Sequence, residues 1–264
     1  MTEAATDGRL TEAQLGELAT LLPGADSVEL KVTVPAMEAR AAAASMGMDT
    51  LGAEIRQVFF FDTPALALNE AGVVVRARRI RGRRHDTVVK LRPVIPDEVP
   101  PEFRASPDLG VEIDAMPGGF VCSASMKRTL KGDKIADVAA GDRPIRKLFS
   151  KQQRAFFSAF GPRGFDLDDL SVLGPIFVLK LKDAPAGFSR KLVGEMWLYP
   201  DGSRIVELST KCAPDEALDV AHEARSFFER HGLDLNDQQQ TKTKTALEYF
   251  ASELAATAPN ETST

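Results

Sequence analysis

Eight of the twenty residues in the stretch 73–92, VVVRARRIRGRRHDTVVKLR, are Arg or Lys, in a chain of 264 residues whose formal net charge is -5. Arg presents a planar fork of donors that matches phosphate oxygens, and Lys a compact point charge. The chemistry available to such a stretch is anion binding, on an open nucleic-acid surface or against something smaller and enclosed. Carboxylates recur elsewhere at strand spacing: Glu29 two residues before Lys31, Glu112 two before Asp114, and Glu207 in IVELSTK. Such oxygens are the donors preferred by Mg²⁺ and Mn²⁺, which bridge protein carboxylates to substrate phosphates. Other chemistries are poorly supplied. Cys122 and Cys212 form no Cys-X-X-Cys pair, and His85, His222 and His231 are scattered without metal-ligand spacing.

Sorting each β-rich run by its period of two places these charges on one face. In SVELKVTV, Val28, Leu30, Val32 and Val34 oppose Ser27, Glu29, Lys31 and Thr33. Val75 and Ala77 oppose Val74, Arg76 and Arg78; Val89 and Leu91 oppose Val88, Lys90 and Arg92; Val111 and Ile113 oppose Glu112 and Asp114. Later, Phe177, Leu179 and Leu181 oppose Val178, Lys180 and Lys182, and Val206 and Leu208 oppose Glu207, Ser209 and Lys211. A half-buried sheet facing water explains any one of these runs. Six of them, with several helices needing an apolar surface to cover, predict a closed barrel with helices outside and charge within. The named faces carry eight cations against four acids. Desolvated like charge costs several kcal/mol for each uncompensated ion, so this interior calls for a polyanion or for the opposing carboxylates.

The elements that position these faces follow the punctuation of the chain. A helix is expected over 10–22, with Thr11 as cap and Gln14 completing a capping box. The barrel occupies 27–211, helices cover 215–256, and 257–264 reads as a disordered tail, all in a single α+β domain. No basic start precedes an apolar run, and no segment approaches the roughly 18 apolar residues of a membrane span. A cytoplasmic protein is expected, with no membrane partner and with a homodimer allowed. The acidic balance and the in-register placement of the bases argue against nucleic acid.

The ordered series FFFDTPALALNEAGVVVRARR followed by TVVKLR resembles the CYTH domains, or triphosphate tunnel metalloenzymes, over residues 27–211. The resemblance implies an eight-stranded antiparallel tunnel that binds a linear triphosphate with Mg²⁺ or Mn²⁺. It implies hydrolysis of inorganic triphosphate first, with thiamine or other organic triphosphates, RNA 5'-triphosphates and adenylate cyclisation as family alternatives. Carried over residue by residue, Arg76, Arg78, Lys90 and Arg92 fall at the phosphate-binding positions, with Lys31, Lys180, Lys182 and Lys211 on the same inward faces. Lys151 or Arg154 of SKQQR stands for the second basic cluster. Glu29, Glu112 and Asp114 are the implied catalytic residues, and these three with Glu207 the implied metal ligands. The opening Glu-X-Glu-X-Lys pattern has Ser27 in its first place, and the closing Glu-X-Glu pattern has Ser209 in its last. Ser cannot replace a carboxylate's charge, so a phosphate or polyphosphate binding protein without turnover is the alternative from another class.

Overall fold

The computed structural model describes residues 12–233 and 242–257; Thr11 and the tail from residue 258 lie outside the described residues. Nine strands are present: β1 (Ser27–Val34), β2 (Glu54–Asp62), β3 (Val73–Ile80), β4 (Asp86–Leu91), β5 (Leu109–Met116), β6 (Gly119–Thr129), β7 (Ser171–Asp183), β8 (Leu192–Leu198) and β9 (Arg204–Cys212). They close into one barrel in the order β1-β5-β6-β4-β3-β2-β7-β8-β9. The expected count of eight antiparallel strands is thereby corrected to nine. An odd ring cannot alternate direction all the way round, so one neighbouring pair must be parallel. That pair is β1–β5, with Ser27 opposite Glu112 and Glu29 opposite Asp114. The remaining neighbours are antiparallel.

Among the described residues, eight α-helices surround or cap this barrel: α1 (Glu12–Leu21), α2 (Ala39–Ser45), α3 (Ala67–Glu70), α4 (Pro101–Arg104), α5 (Lys134–Ala139), α6 (Lys151–Phe160), α7 (Ala217–Arg230) and α8 (Lys242–Thr257). Outward-facing Val75, Val89 and Ile113 meet Ile135 of α5 and Phe156 of α6 in one core cluster. Val32, Leu208, Ala42 and Phe227 join β1 and β9 to α2 and α7 in a second. Burying a large apolar side chain contributes about 1.5–3 kcal/mol, which is why the apolar faces point out toward helices and the charged faces are left inside.

Two local devices hold the strands that carry the site. Asp62 accepts from the backbone N–H groups of Thr63 (2.7 Å), Leu68 (2.9 Å) and Asn69 (3.0 Å), so the Phe-Asp-Thr-Pro turn fixes α3 between β2 and β3. α6 begins with a capping box in which Ser150 and Gln153 satisfy each other's backbone. Gln153 is fully buried, and its amide donates to the carbonyls of Thr87 and Met126, both at 3.1 Å. The SKQQR segment is therefore helix, anchored on the outer wall by its glutamine.

The third core cluster lies at one end of the barrel. Ala246, Leu247 and Phe250 of α8 pack against Val58, Phe60, Ile176, Trp197 and Ile205. This end is filled by apolar side chains, and the charged residues occupy the remainder.

Candidate functional site

The barrel encloses a cavity of about 320 Å³ walled by ten basic and five acidic side chains. β1 supplies Glu29 and Lys31, β3 supplies Arg76 and Arg78, and β5 supplies Glu112 and Asp114. β7 adds Lys180 and Lys182, β9 adds Glu207 and Lys211, and Arg92 projects from just beyond β4. Lys90 joins this interior through its contact with Asp114.

Asp114 is the centre of the acidic side. It is fully buried, with Lys31 at 2.7 Å, Lys90 at 3.4 Å and Arg92 at 3.6 Å. Burial alone would raise its pKa, but the three cations outweigh burial and hold the carboxyl well below the usual range. Lys31 also reaches Glu29 at 3.0 Å, and despite its desolvation these acids hold its pKa far above the usual lysine value. Burial likewise works against ionisation of Glu29, and Lys31 and Lys211 reverse the balance and lower its pKa. Lys90 goes the other way: burial dominates, Lys31, Arg92 and Arg76 add repulsion, and its pKa falls to about 8.

Glu29, Glu112 and Asp114 each offer an oxygen, and those oxygens lie within 4.8 Å of one another. Lys211 is paired to Glu112. Ser27 and Ser209, the two positions short of a carboxylate, turn toward this cluster: Ser27 donates to Glu112 at 3.4 Å and Ser209 to Glu29 at 3.1 Å. They hold the carboxylates they do not supply. Glu207, grouped with these acids by sequence, stands apart among the described residues, 2.6 Å from Lys242.

The cationic side is held differently. Arg78 makes a two-donor pair with Asp86, both bonds at 2.8 Å, and Lys180 binds Glu195 at 2.7 Å. Arg76 has no ion pair among the described residues, and its buried Nε lacks a hydrogen-bond partner. Desolvation, with repulsion from Arg78, lowers its pKa to about 10, so it remains charged at neutral pH. Lys182 and Lys211 are exposed at the rim.

Lys151 and Arg154 are a correction. Both are exposed on α6 outside the barrel, and Arg154 binds the carbonyl of Phe149 at 2.8 Å. α6 packs on the outside of the wall through Phe156 and Phe157, so neither of these bases enters the cavity. Sequence reasoning in turn passed over Arg56, Lys127, Glu195, Trp197 and Lys242, all on the cavity wall. Arg56 and Glu195 were available from alternation in EIRQV and VGEMW. Lys242 carries no local signal: it enters from α8, between Glu195 (2.7 Å) and Glu207, with its ammonium 5.3 Å from the Trp197 ring centre.

The closed barrel thus sets buried carboxylates on one side of its cavity and clustered guanidinium and ammonium groups on the other, which concentrates positive potential in a small enclosed space. Its fold is shared with solved structures. A Hippeastrum protein assigned as an adenylyl cyclase, with a dominant triphosphatase activity, superposes with a TM-score of 0.63 at 15% identity, covering 84% of this chain and 95% of that one. A Bacillus halodurans protein assigned as an adenylate cyclase gives 0.59 at 10% identity, covering 83% and 97%. These likenesses support the CYTH resemblance at the level of fold. No protein-family model and no curated protein sequence matches the chain. No described helix is long and apolar enough to cross a membrane.

Proposed function

We propose that this chain is a divalent-metal-dependent triphosphatase acting on linear triphosphate, with inorganic triphosphate as the principal substrate. The observation that carries this reading is Arg76, a buried guanidinium whose Nε has no partner among the described residues, aimed into a cavity with twice as many bases as acids. Its missing partner is an anion in the cavity. Arg76 and Arg92 grip phosphate oxygens, while Arg78 and Lys180, already oriented by Asp86 and Glu195, add charge without losing much freedom on binding.

The carboxylates fit a Mg²⁺ or Mn²⁺ ion by donor type. Glu29, Glu112 and Asp114 converge. Asp114 Oδ1 has Lys31 nearby but no aligned hydrogen bond, which leaves it a lone pair to share. Bound there, such an ion supplies Lewis-acid polarisation of a phosphoryl oxygen. Glu29, kept ionised by Lys31, is placed to accept a hydrogen bond from the attacking water, and the arginines stabilise the charge that spreads over the transferring phosphoryl group.

The test is phosphate release from tripolyphosphate with Mg²⁺ or Mn²⁺, with Glu29→Gln beside the unaltered protein. Metal-dependent release that falls at least about a hundredfold in Glu29→Gln is expected. A second reading, binding without turnover, draws on Ser27 and Ser209 holding carboxylates in place of supplying them. Tight tripolyphosphate binding with no metal-dependent release selects it.

A further inference from the structure

Outside the tunnel wall, the β3–β4 connection and the loop from β6 into α5 face one another across an open cleft of about 710 Å³. Arg81, Arg83, Arg84 and Lys131 line it, and all four are exposed. Gly82 (φ 71°) and Gly132 (φ 72°) shape its two turns with left-handed backbone that other residues rarely adopt. The one acid in its lining, Asp133, is occupied by a two-donor pair with Arg79 and by His85 at 3.6 Å.

The cleft stands at the open end of the tunnel. The β3–β4 ladder finishes with Arg78 opposite Asp86, and the arginine-rich turn continues directly from it. Arg83 Nε lies 2.7 Å from Glu54, and Glu54 also holds Arg56 of the cavity wall. The opposite end is filled by α8. An anion too long for the cavity that leaves on the side away from α8 passes beside these bases.

We propose that the cleft is a second anion subsite that holds the trailing phosphates of a linear polyphosphate whose terminal phosphates occupy the tunnel. This rests on the triphosphate reading above. An inorganic chain is favoured over single-stranded nucleic acid because no Phe, Tyr or Trp lines the cleft to stack a base. Its attraction is charge on exposed side chains, which salt screens.

Binding by the full chain, in EDTA so that no turnover intervenes, is compared for tripolyphosphate, long-chain polyphosphate and a single-stranded RNA with a 5'-hydroxyl. The expected affinity for long-chain polyphosphate exceeds that for tripolyphosphate by about tenfold at low salt. In the combined variant Arg81→Ser/Arg84→Ser/Lys131→Ser that advantage disappears, while tripolyphosphate affinity stays within about twofold. Equal losses for both phosphates, or no loss for either, overturn the subsite. RNA binding as tight as that of polyphosphate, and lost with it in the combined variant, makes the cleft a nucleic-acid surface instead. Failure of the unaltered protein to bind tripolyphosphate sinks the tunnel reading itself, and Arg76→Ala is expected to weaken both phosphates. Long-chain binding that survives Arg76→Ala overturns the continuity of tunnel and cleft.

Discussion

Asp114→Asn changes one charge and almost no volume, at the point where three cations converge. With Lys31 at 2.7 Å, Lys90 at 3.4 Å and Arg92 at 3.6 Å, the buried carboxylate is the common partner that makes their burial tolerable. Neutralising one side of a buried ion pair costs about 3–5 kcal/mol. Lys90, already at a pKa of about 8, loses its main source of attraction and gives up its proton near neutral pH. That relief places the cost at the lower end, about 3 kcal/mol. For a domain of this size the melting temperature falls by roughly 6–12 °C. The assay is thermal unfolding in EDTA, with and without tripolyphosphate. The ligand returns negative charge to the cations, so its stabilising shift should be larger in Asp114→Asn than in the unaltered protein. An unchanged melting temperature would refute the account of Asp114 as common partner. A smaller ligand shift would refute the placement of the anion among these bases.

Arg76→Met is expected to weaken tripolyphosphate binding by about ten- to a hundredfold in calorimetry, the loss of a charged hydrogen-bonding group, while the melting temperature of the free protein holds or rises because an unpaired buried cation is gone. Lys242→Met leaves Glu207 without its ammonium and should accelerate amide exchange in α8 ahead of the barrel strands; unaltered exchange there would show that the apolar contacts alone dock the helix. Lys90 has a folded pKa below its unfolded value, so the unfolded chain binds more protons between about pH 8 and 10.5; stability gains from this group as pH rises through that window, and the gain vanishes in Lys90→Met. Asp114 acts at the other end of the scale. Its lowered pKa contributes stability that is present above about pH 4 and lost as pH falls further, so acid unfolding of Asp114→Asn should be shallower.

The charged faces of β1, β3, β5, β7 and β9 were legible because each strand has one wall of helices and one interior, and the period of two records both. β2 hid part of its contribution. Past Val58 the strand reads Phe59-Phe60-Phe61, apolar on both sides, because Phe60 enters the α8 cluster while Phe59 and Phe61 pack against the outer cluster. Arg56, which alternation in EIRQV does expose, precedes that run. The lumen side of β6 carries Ser123 and Ser125, small polar residues that advertise no site, and shows a charge only at Lys127 near its end. The parallel β1–β5 seam joins segments 85 positions apart, and no local period can report such a pairing. Lys151 and Arg154 failed for the opposite reason: a basic cluster was read without the Ser150–Gln153 capping box that turns it into a helix.

The position of β1 also sets a clock. It is bordered by β5 on one side and β9 on the other, and Val28 meets Cys212, 184 residues later in the chain. At synthesis rates of about 5–20 residues per second, β1 waits roughly 10–40 s for its last neighbour to be made. Through that interval Val28, Val32 and Val34 lie along an unpaired edge, the kind of segment that finds other chains. The strand that brings Glu29 and Lys31 to the site is thus the one whose partnering the growing polypeptide must defer longest.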